Sequence, residues 1–317
     1  MKDSEKKGWK HYGSLFLRGM AMGAADVIPG VSGGTIAFIT GIYTELIDSL
    51  RRCDHQAVKC LFQQGFPAMW RHINGTFLVA VFGGILFSIF SLAKLMSYWL
   101  ESQPILVWSL FFGLILASSV LLLRQVTGWN PARVSLVLLG IVLALAVTWL
   151  KPTHLPEVWW VILLAGMVAI CAMILPGISG GFLLLMMGLY STVIGAISQL
   201  NFGLLIPFAV GCAIGLLLFS HILSWLLHHY EAGTMALLTG FLIGSLNIIW
   251  PWKQTLETVV DRHGELVPVV QENILPGHYA ILTGQSAELL PAIFMTLTGL
   301  LLVIGMDYVA GKKKRYS

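Results

Sequence analysis

Long apolar runs separated by short polar segments dominate the hydropathy pattern of this chain. Each of six runs comes close to or exceeds the roughly 20 residues that an α-helix needs to cross a bilayer. These runs lie at 75–100, 104–124, 131–150, 203–228, 234–250 and 287–309. The pattern therefore predicts an all-α polytopic membrane protein in which the six runs are transmembrane helices.

A Pro-Gly-x-Ser-Gly-Gly motif interrupts two further apolar regions, 13–48 and 157–198. The motif begins at Pro29 in the first region and at Pro176 in the second. Proline cannot continue a hydrogen-bonded helix, and the glycines make the break open and flexible. Most of the apolar arms around the motifs are too short to span a bilayer, so each region is predicted to form a re-entrant helical hairpin. The arms that resume after the motifs are 35–47 and 182–197.

The two motifs belong to a longer internal repeat. A shift of 147 positions places the first motif on the second and also matches Gly19 with Gly166, Gly41 with Gly188 and Tyr43 with Tyr190. Beyond the hairpins, a shift of 127 positions matches Gly84 with Gly211, Lys94 with His221 and Gly113 with Gly240. Such an ordered series of matches predicts a duplication, with repeats at 13–150 and 157–309.

The distribution of charge indicates how these repeats are oriented. Charged residues make up 11% of the chain, against about 25% in a soluble domain. Cytoplasmic loops are enriched in Lys and Arg, and 15 of the 19 Lys and Arg residues fall inside when segment 1–12 and the basic tail 310–317 are cytoplasmic. Each repeat then has one hairpin and three spans, an odd number, so the second repeat is predicted to be inverted relative to the first.

Cysteine usage gives no sign of a metal site or of a disulfide framework. Cys53, Cys60, Cys171 and Cys212 form no CxxC pair and have no histidine cluster beside them. Neither pattern that would indicate zinc or disulfides is therefore present in the sequence. We expect no metal and no cofactor, and we expect the partners to be the bilayer and its lipids rather than nucleic acid.

The broken helices predict a site for an anion. Inverted repeats of broken helices are typical of alternating-access transporters, and unwound backbone is tolerated in a membrane only where it is buried in protein or lines a wet cavity. The helix that restarts after each motif presents free N–H groups that favour phosphate. The candidate phosphate-binding residues are Ser32, Gly33, Gly34 and Thr35 in the first loop and Ser179, Gly180 and Gly181 in the second. The alternative is that Ser-Gly-Gly only permits close helix packing.

Charged residues inside the membrane are expensive, so each is a functional hypothesis. Asp26 lies three residues before the first motif, and Met173 occupies the equivalent position in the second repeat. The hairpin fold therefore does not require the acid, which is a candidate for accepting a coupling proton or for pairing with Arg18. Glu45 is a further candidate for charge coupling, with a solvated cap as its alternative role.

The repeat mates Lys94 and His221 lie on equivalent spans. Both side chains are candidates for contact with the phosphate of a substrate. Lysine side chains on a span also extend to the membrane interface without binding anything, and this alternative explains Lys94 equally well. The pair is therefore predicted as a possible headgroup contact outside the two loops.

The residues around both motifs resemble a known family. Met22–Thr35, followed by Gly41-Ile42-Tyr43, is similar to the signature of the bacterial polyprenyl-phosphate transporters, PopT-like proteins formerly classed as a domain of unknown function. Residues 175–190 and the stretch 244–252 resemble the family as well, so the resemblance covers nearly the whole chain. Two positions depart from it: Gly181 stands where members often carry Ser, and Asn247 where a basic residue is common.

The resemblance implies a function as well as a fold. Members of such a family would move undecaprenyl phosphate, the lipid carrier of cell-wall precursors, across the bacterial cytoplasmic membrane. The protein is then expected to be a multi-pass transporter rather than an enzyme, with cytoplasmic termini and no cofactor. The phosphate would bind between the two loop tips while the isoprenoid tail stays in lipid.

Two other functions fit parts of the pattern. Intramembrane polyprenyl-diphosphate phosphatases also use a Pro-Gly-x-Ser loop, but they require an arginine after the serine, where this chain has Gly33 and Gly180. A serine nucleophile also needs an activating base, and no histidine lies near either motif. A transporter of a small soluble anion would satisfy the loop argument equally well, whereas a purely structural scaffold would not explain two polar broken helices.

Overall fold

The computed structural model describes residues 9–26, 32–148, 153, 155–260 and 266–315. Within them the chain forms α-helices and a single two-stranded β-hairpin. The first half contains α1 (Trp9–Asp26), α2 (Gly33–Ile39), α3 (Tyr43–Arg51), α4 (His55–Gln64), α5 (Phe66–His72), α6 (Gly75–Ser102), α7 (Pro104–Gln125) and α8 (Pro131–Thr148). The second half contains α9 (Trp159–Ile174), α10 (Gly180–Met186), α11 (Tyr190–Ser198), α12 (Phe202–His229), α13 (Glu231–Ser245), β1 (Lys253–Val260), β2 (Leu266–Asn273), α14 (Pro276–Thr283) and α15 (Leu289–Arg315).

The helices are those of a polytopic membrane protein. Among the described residues, four helical stretches are long and apolar enough to cross a bilayer: Gly75–Leu92, Pro104–Gln125, Pro131–Thr148 and Phe202–His229. The other two predicted spans form shorter apolar helices, since α13 has 15 residues and the apolar part of α15 is Leu289–Gly305. The predicted all-α polytopic class is confirmed. The tail predicted at 310–317 is helical as far as Arg315.

Each predicted hairpin contains a second break that the sequence analysis did not anticipate. The arm expected at 35–47 divides into α2 and α3, and the arm expected at 182–197 divides into α10 and α11. Gly41 and Gly188 end the first helix of each pair with φ of 73° and 70°, a conformation that glycine adopts without a steric penalty. The two halves of the second arm are bent by 111°, so the prediction of one continuous arm was wrong in both regions.

Matched glycines bring the long helices into close contact. A Cβ atom on Gly84 of α6 would overlap the Phe16 carbonyl of α1, and one on Gly211 of α12 would overlap the Leu163 carbonyl of α9. Gly84 and Gly211 are a pair predicted by the repeat. Helices in a membrane associate through such close backbone approaches because lipid provides little hydrophobic drive between them.

The directions of these helix pairs can be read from their contacts. Gly19 and Gly23 meet Val81 and Ile85, so α1 and α6 run in the same direction. Gly211 and Gly215 likewise meet Leu163 and Met167, so α9 and α12 run together. The start of α6 lies beside α3, where Asn74 donates a hydrogen bond to Glu45. The end of α12 lies beside α3 as well, because Ser224 and His228 contact Asp48.

The largest buried cluster lies around the first hairpin and joins the two halves of the chain. It combines α1, α3 and α6 with residues of α12 and α13, and its most buried members include Leu15, Ile47, Phe77, Val81, Leu238 and Leu242. Ile174, at the end of α9, belongs to the same cluster. The first hairpin is therefore packed against second-half elements rather than against its own repeat alone.

An antiparallel pair of strands, at 253–260 and 266–273, was not predicted, because the sequence analysis noted only that this part of the second half is longer. β1 and β2 pair antiparallel from Lys253↔Asn273 to Val260↔Leu266, with irregular register around Glu257. Two tryptophans fasten its base: Trp250 Nε1 donates to the Ile274 carbonyl at 2.9 Å and Trp252 Nε1 to the Ala287 carbonyl at 2.8 Å. These side chains thus tie the strand pair to the segment that follows α13 and to the segment that precedes α15.

Candidate functional site

The first loop tip is built around the start of α2. Ser32 is the N-cap residue, and its Oγ accepts a hydrogen bond from the Gly34 amide at 3.1 Å. The same hydroxyl donates to the Met173 carbonyl of α9 at 2.7 Å. Ser32 and Thr35 are both buried. The preceding Pro29, Gly30 and Val31 lie outside the described residues.

The Asp26 carboxylate lies at the N-terminus of α2, where the sequence predicts an anion. The Gly33 amide donates a hydrogen bond to Asp26 Oδ1 at 2.6 Å. A Cβ atom on Gly33 would be 2.6 Å from Asp26 Oδ2, so glycine is needed for this approach. The helix dipole and the free N–H groups stabilise a negative charge at this position. The Asp26 carboxylate therefore accepts a hydrogen bond from one of the amides that were predicted to bind phosphate.

Arg18 and Asp26 lie on the same helix, separated by about two turns. In the part of the chain that the structure describes, Arg18 makes no ion pair with Asp26, and the hydrogen bond of Asp26 is the one from Gly33. The geometry thus favours an electrostatic role for Asp26 at the loop tip over pairing with Arg18.

The first tip is docked directly on the second. The Gly177 amide donates to Thr35 Oγ1 at 2.8 Å, and the Tyr43 hydroxyl donates to the Ile174 carbonyl at 3.2 Å. A Cβ atom on Gly34 would lie 2.6 Å from the same Ile174 carbonyl. Carbonyl groups at a helix C-terminus lack intrahelical partners, and here the first tip supplies partners for the end of α9. The two motifs predicted as one site are therefore adjacent.

The second tip differs from the first in its capping. Ser179 is the N-cap residue of α10, but its side chain makes no capping hydrogen bond. Met173 stands at the repeat position of Asp26, and it contributes its carbonyl oxygen to Ser32. Gly180 is buried against the Ala169 carbonyl of α9. Among the described residues, no side chain caps the first amides of α10, whereas Asp26 and Ser32 cap those of α2.

An apolar groove adjoins the second tip. It has a volume of about 340 Å³ and is lined by Met167 and Cys171 of α9 together with Leu175, Ile178 and Leu183. Ile178 directly precedes Ser179 in the motif. The groove is therefore continuous with the loop and offers an apolar surface beside its polar tip.

The remaining predicted residues lie away from the two tips. Glu45 is on α3 and accepts a hydrogen bond from Asn74 at 3.1 Å. His221 is on α12, with Nε2 3.9 Å from Asp54 Oδ2. Lys94 belongs to α6, and its side chain lies outside the described part. The structure thus brings Asp26 to the loop residues but does not bring Glu45 or His221 there.

Tyr43 is a residue of the tip that the sequence analysis did not assign. It is buried, and its hydroxyl reaches the end of α9. The repeated Gly-x-Tyr was the available signal, since it recurs as Gly188-x-Tyr190. That signal was used only to establish the duplication, although a tyrosine following a helix break is placed to bond across to another element.

A known family matches most of this chain. The sequence model of the VCA0040-like family, described as undecaprenyl phosphate translocase-like, matches residues 22–267. This chain belongs to that family. The match includes both loop motifs, and the family is named for transport rather than for catalysis, which agrees with the prediction that the chain is not an enzyme.

Two relatives extend the comparison over most of the chain. A polyprenyl-phosphate transporter of Vibrio cholerae serotype O1 is 49% identical over 302 residues, covering 95% of this chain and 98% of that protein. A polyprenyl-phosphate transporter of Staphylococcus aureus is 36% identical over 253 residues, covering 74% and 85%. No solved structure matches the chain. The resemblance to the polyprenyl-phosphate transporters is confirmed.

Proposed function

We propose that this protein moves undecaprenyl phosphate between the leaflets of the bacterial cytoplasmic membrane, returning the carrier lipid for cell-wall synthesis. The observation that carries the proposal is the 49% identity, over 95% of the chain, to a protein named polyprenyl-phosphate transporter. The apolar spanning helices and the two interlocked polar tips supply what such a substrate needs, because it has an anionic headgroup and a long apolar tail.

The phosphate site of this proposal lies between the two tips. The open amides of α10, at Gly180 and Gly181, receive the phosphate first, since no side chain caps them among the described residues. The amides of Gly33 and Gly34 then complete the site from the other side. Ser32, Thr35 and Ser179 contribute hydroxyl groups, and the glycines let the headgroup approach the main chain closely.

Asp26 acts in this mechanism as an internal competitor of the substrate. Its carboxylate holds the Gly33 amide when the site is empty. A phosphate at the same amide would face this negative charge at close range, which is unfavourable for both groups. Binding is therefore coupled to transfer of a proton to Asp26 or to rotation of its side chain away from Gly33. Either event frees the Gly33 amide and removes the nearby negative charge, so that the first tip can bind an anion.

The isoprenoid tail has a place beside the headgroup. The apolar groove of about 340 Å³ begins at Ile178, next to the second tip. A tail segment in this groove would keep the chain in an apolar environment while the phosphate moves at the tips. The remainder of the tail extends into lipid between the helices.

The directions of the long helices support alternating access. The pairs α1–α6 and α9–α12 each run together, whereas α6 starts and α12 ends beside α3. These contacts support two repeats of opposite orientation, which rock against each other around the tips. The excess of Lys and Arg on one side supports cytoplasmic termini. The end of the molecule formed by α3, α4, α5 and the C-terminus of α12 is then cytoplasmic.

Leaflet exchange in liposomes tests this function. Purified protein is reconstituted with undecaprenyl phosphate, and exchange is compared for wild type, Ser32→Ala/Ser179→Ala and the control Ser198→Ala. Among the described residues, the Ser198 hydroxyl bonds only to Ile194 of its own helix. Wild type and control should accelerate exchange over protein-free vesicles, and the double variant should be slower by about tenfold or more. Exchange equal to that of protein-free vesicles, with the protein folded, would contradict the proposal.

A further inference from the structure

Two short helices, α4 and α5, connect the first hairpin to the long helix α6. α4 has 10 residues and α5 has 7, so neither can cross a bilayer, which takes roughly 20 residues. α4 packs on α5, and α5 packs on α6. The connection is therefore a folded element beside the start of a membrane-spanning helix, and its surface needs an explanation of its own.

The apolar side chains of α4 share one side of the helix. Val58 and Phe62 are four residues apart, the spacing that places two side chains on one face. They are 55% and 83% exposed, respectively. The polar residues Lys59 and Gln63 are also four apart and lie on a different face. α4 is thus an amphipathic helix whose apolar face is not buried in the protein.

The start of α5 adds to this exposed apolar surface. Phe66 is exposed, and its ring lies beside that of Trp70, with centroids 5.4 Å apart. Leu61 of α4 is a further exposed apolar residue. We call Val58, Leu61, Phe62 and Phe66 the α4–α5 apolar face.

Trp70 fixes the depth of this element relative to the bilayer. Its Nε1 donates a hydrogen bond to Thr76 Oγ1 at 3.0 Å, and a Cβ atom on Gly75 would overlap its ring. Gly75 is the first residue of the spanning stretch Gly75–Leu92. Tryptophan is enriched where a membrane span meets the water interface. The contacts of Trp70 therefore hold α5 at the level where the apolar span begins.

The charges of this element are predominantly positive. Arg52, Lys59 and Arg71 are exposed, and we call them the α4–α5 cations. Between 52 and 74 the one acidic residue is Asp54. Its carboxylate accepts hydrogen bonds from backbone amides in the first turn of α4. The exposed surface therefore favours an anionic partner.

Depth, apolar face and charge together fit a lipid surface. Amphipathic helices at a membrane interface bury their apolar face about 5–10 Å into the boundary between headgroups and acyl chains and carry cations on the polar face. Lys and Arg near a membrane surface attract anionic headgroups. The α4–α5 element has each of these features and lies beside the first residues of a span.

We propose that α4 and α5 form an interfacial binding element for anionic lipid, with the α4–α5 apolar face among the acyl chains and the α4–α5 cations against the headgroups. The element anchors the start of α6 to one bilayer surface. The inference goes beyond the proposed function, because it concerns the lipids around the protein and not the lipid that it moves. It holds for either orientation of the chain.

Quenching of a single fluorescent label tests the position of the apolar face. The four cysteines are replaced by Ser, and bimane is attached at Phe62→Cys or, as the matched control, at Gln63→Cys on the polar face. The full-length protein is reconstituted in phosphatidylcholine vesicles without undecaprenyl phosphate. Brominated phosphatidylcholine should quench the label at 62 about threefold more than the label at 63, and aqueous iodide should show the reverse order.

Two results of this experiment would overturn the proposal. A label at 62 that iodide reaches as readily as the label at 63 would show that the apolar face lies in water. A label at 62 that neither quencher reaches would show that another protein chain, such as a second copy, covers the face. Thermal unfolding of each labelled protein in detergent establishes that it is folded.

The preference for anionic lipid is measured with the label at 62. Quenching by brominated phosphatidylglycerol is compared with quenching by brominated phosphatidylcholine at equal mole fraction. The local preference for phosphatidylglycerol should be about fivefold and should fall to about one in Arg52→Gln/Lys59→Gln/Arg71→Gln. Arg124→Gln, an exposed cation at the end of α7, should leave it unchanged. No preference in the starting protein, or the same preference in the triple variant, would overturn the binding of anionic headgroups here.

Discussion

At the scale of single residues, the central feature is a carboxylate at a position suited to phosphate. Asp26 binds the Gly33 amide through a 2.6 Å hydrogen bond, and only glycine permits this approach. The sequence analysis identified both residues separately. Asp26 was a charge inside the membrane, and the Gly33 amide was a hydrogen-bond donor to a bound anion. The sequence did not predict that they bind each other, because a seven-residue separation across a helix break gives no periodicity from which to infer a contact.

Asp26→Asn should strengthen binding of undecaprenyl phosphate. The amide oxygen of Asn can still accept a hydrogen bond from Gly33, but it carries no negative charge that competes with the phosphate. Hydrogen bonds to charged groups contribute about 1.5–3 kcal/mol. We expect the affinity of the variant for undecaprenyl phosphate at pH 8 to be about tenfold or more above that of the wild type. The two affinities should become similar as the pH falls. Titration of the lipid in detergent at several pH values measures this.

The lipid phosphate itself titrates near pH 6, so the Asn variant also supplies the baseline for the substrate's own protonation. Glu101→Gln, an exposed carboxylate at the end of α6, is the matched control and should bind as wild type. Equal affinities of wild type and Asp26→Asn at pH 8 would show that Asp26 does not compete with the substrate.

Removing the hydroxyl group of Tyr43 should lower thermal stability more than removing that of Tyr190, its repeat mate. Tyr43→Phe loses the hydrogen bond to the Ile174 carbonyl and leaves that buried acceptor without its partner, which costs about 1–3 kcal/mol. Tyr190 is half-exposed, and its hydroxyl makes no hydrogen bond within the described residues. Thermal unfolding in detergent should show a lower Tm for Tyr43→Phe and little change for Tyr190→Phe. Equal shifts would contradict the asymmetry of the two tips.

At the scale of elements, the sequence predicted the long helices well and the short ones poorly. Apolar runs of bilayer length have few alternative structures, so the predicted spans correspond to the long helices to within a few residues, apart from α13 and the ends of α15. The breaks at Gly41 and Gly188 were missed because each lies within a run that stays apolar on both sides. The helices α4 and α5 and the β-hairpin were missed because they lie in polar connections, where packing rather than hydropathy decides the structure.

Glycine contacts between long helices give a prediction at this scale. Gly84→Ala would drive a methyl group into the Phe16 carbonyl, whereas the adjacent Gly83→Ala would meet the Phe16 ring at an ordinary 3.9 Å. Overpacking of this kind typically costs about 1–3 kcal/mol. Gly84→Ala should therefore lower Tm in detergent, and Gly83→Ala should leave it nearly unchanged. Equal stability of the two variants would mean that α1 and α6 do not approach each other through Gly84.

At the scale of the whole molecule, the two halves of the chain carry different side chains at positions that the predicted repeat matches. The first tip carries Asp26 where the second has Met173, and the first capping serine bonds α9 whereas Ser179 makes no capping bond. Under the proposed function, such differences suit a carrier that binds its substrate on one side and releases it on the other. The duplication and the phosphate site stay predictions from the sequence, whereas the contacts between the two motifs required the structure.

The most direct test is a structure of this protein with undecaprenyl phosphate bound. Our account predicts that the phosphate lies between the tips, within hydrogen-bond reach of the amides at Gly33, Gly34, Gly180 and Gly181. Asp26 should no longer accept from Gly33, and part of the tail should occupy the groove that begins at Ile178. A phosphate bound elsewhere, on the face of Lys94 or His221, with the Asp26–Gly33 hydrogen bond intact, would contradict the account.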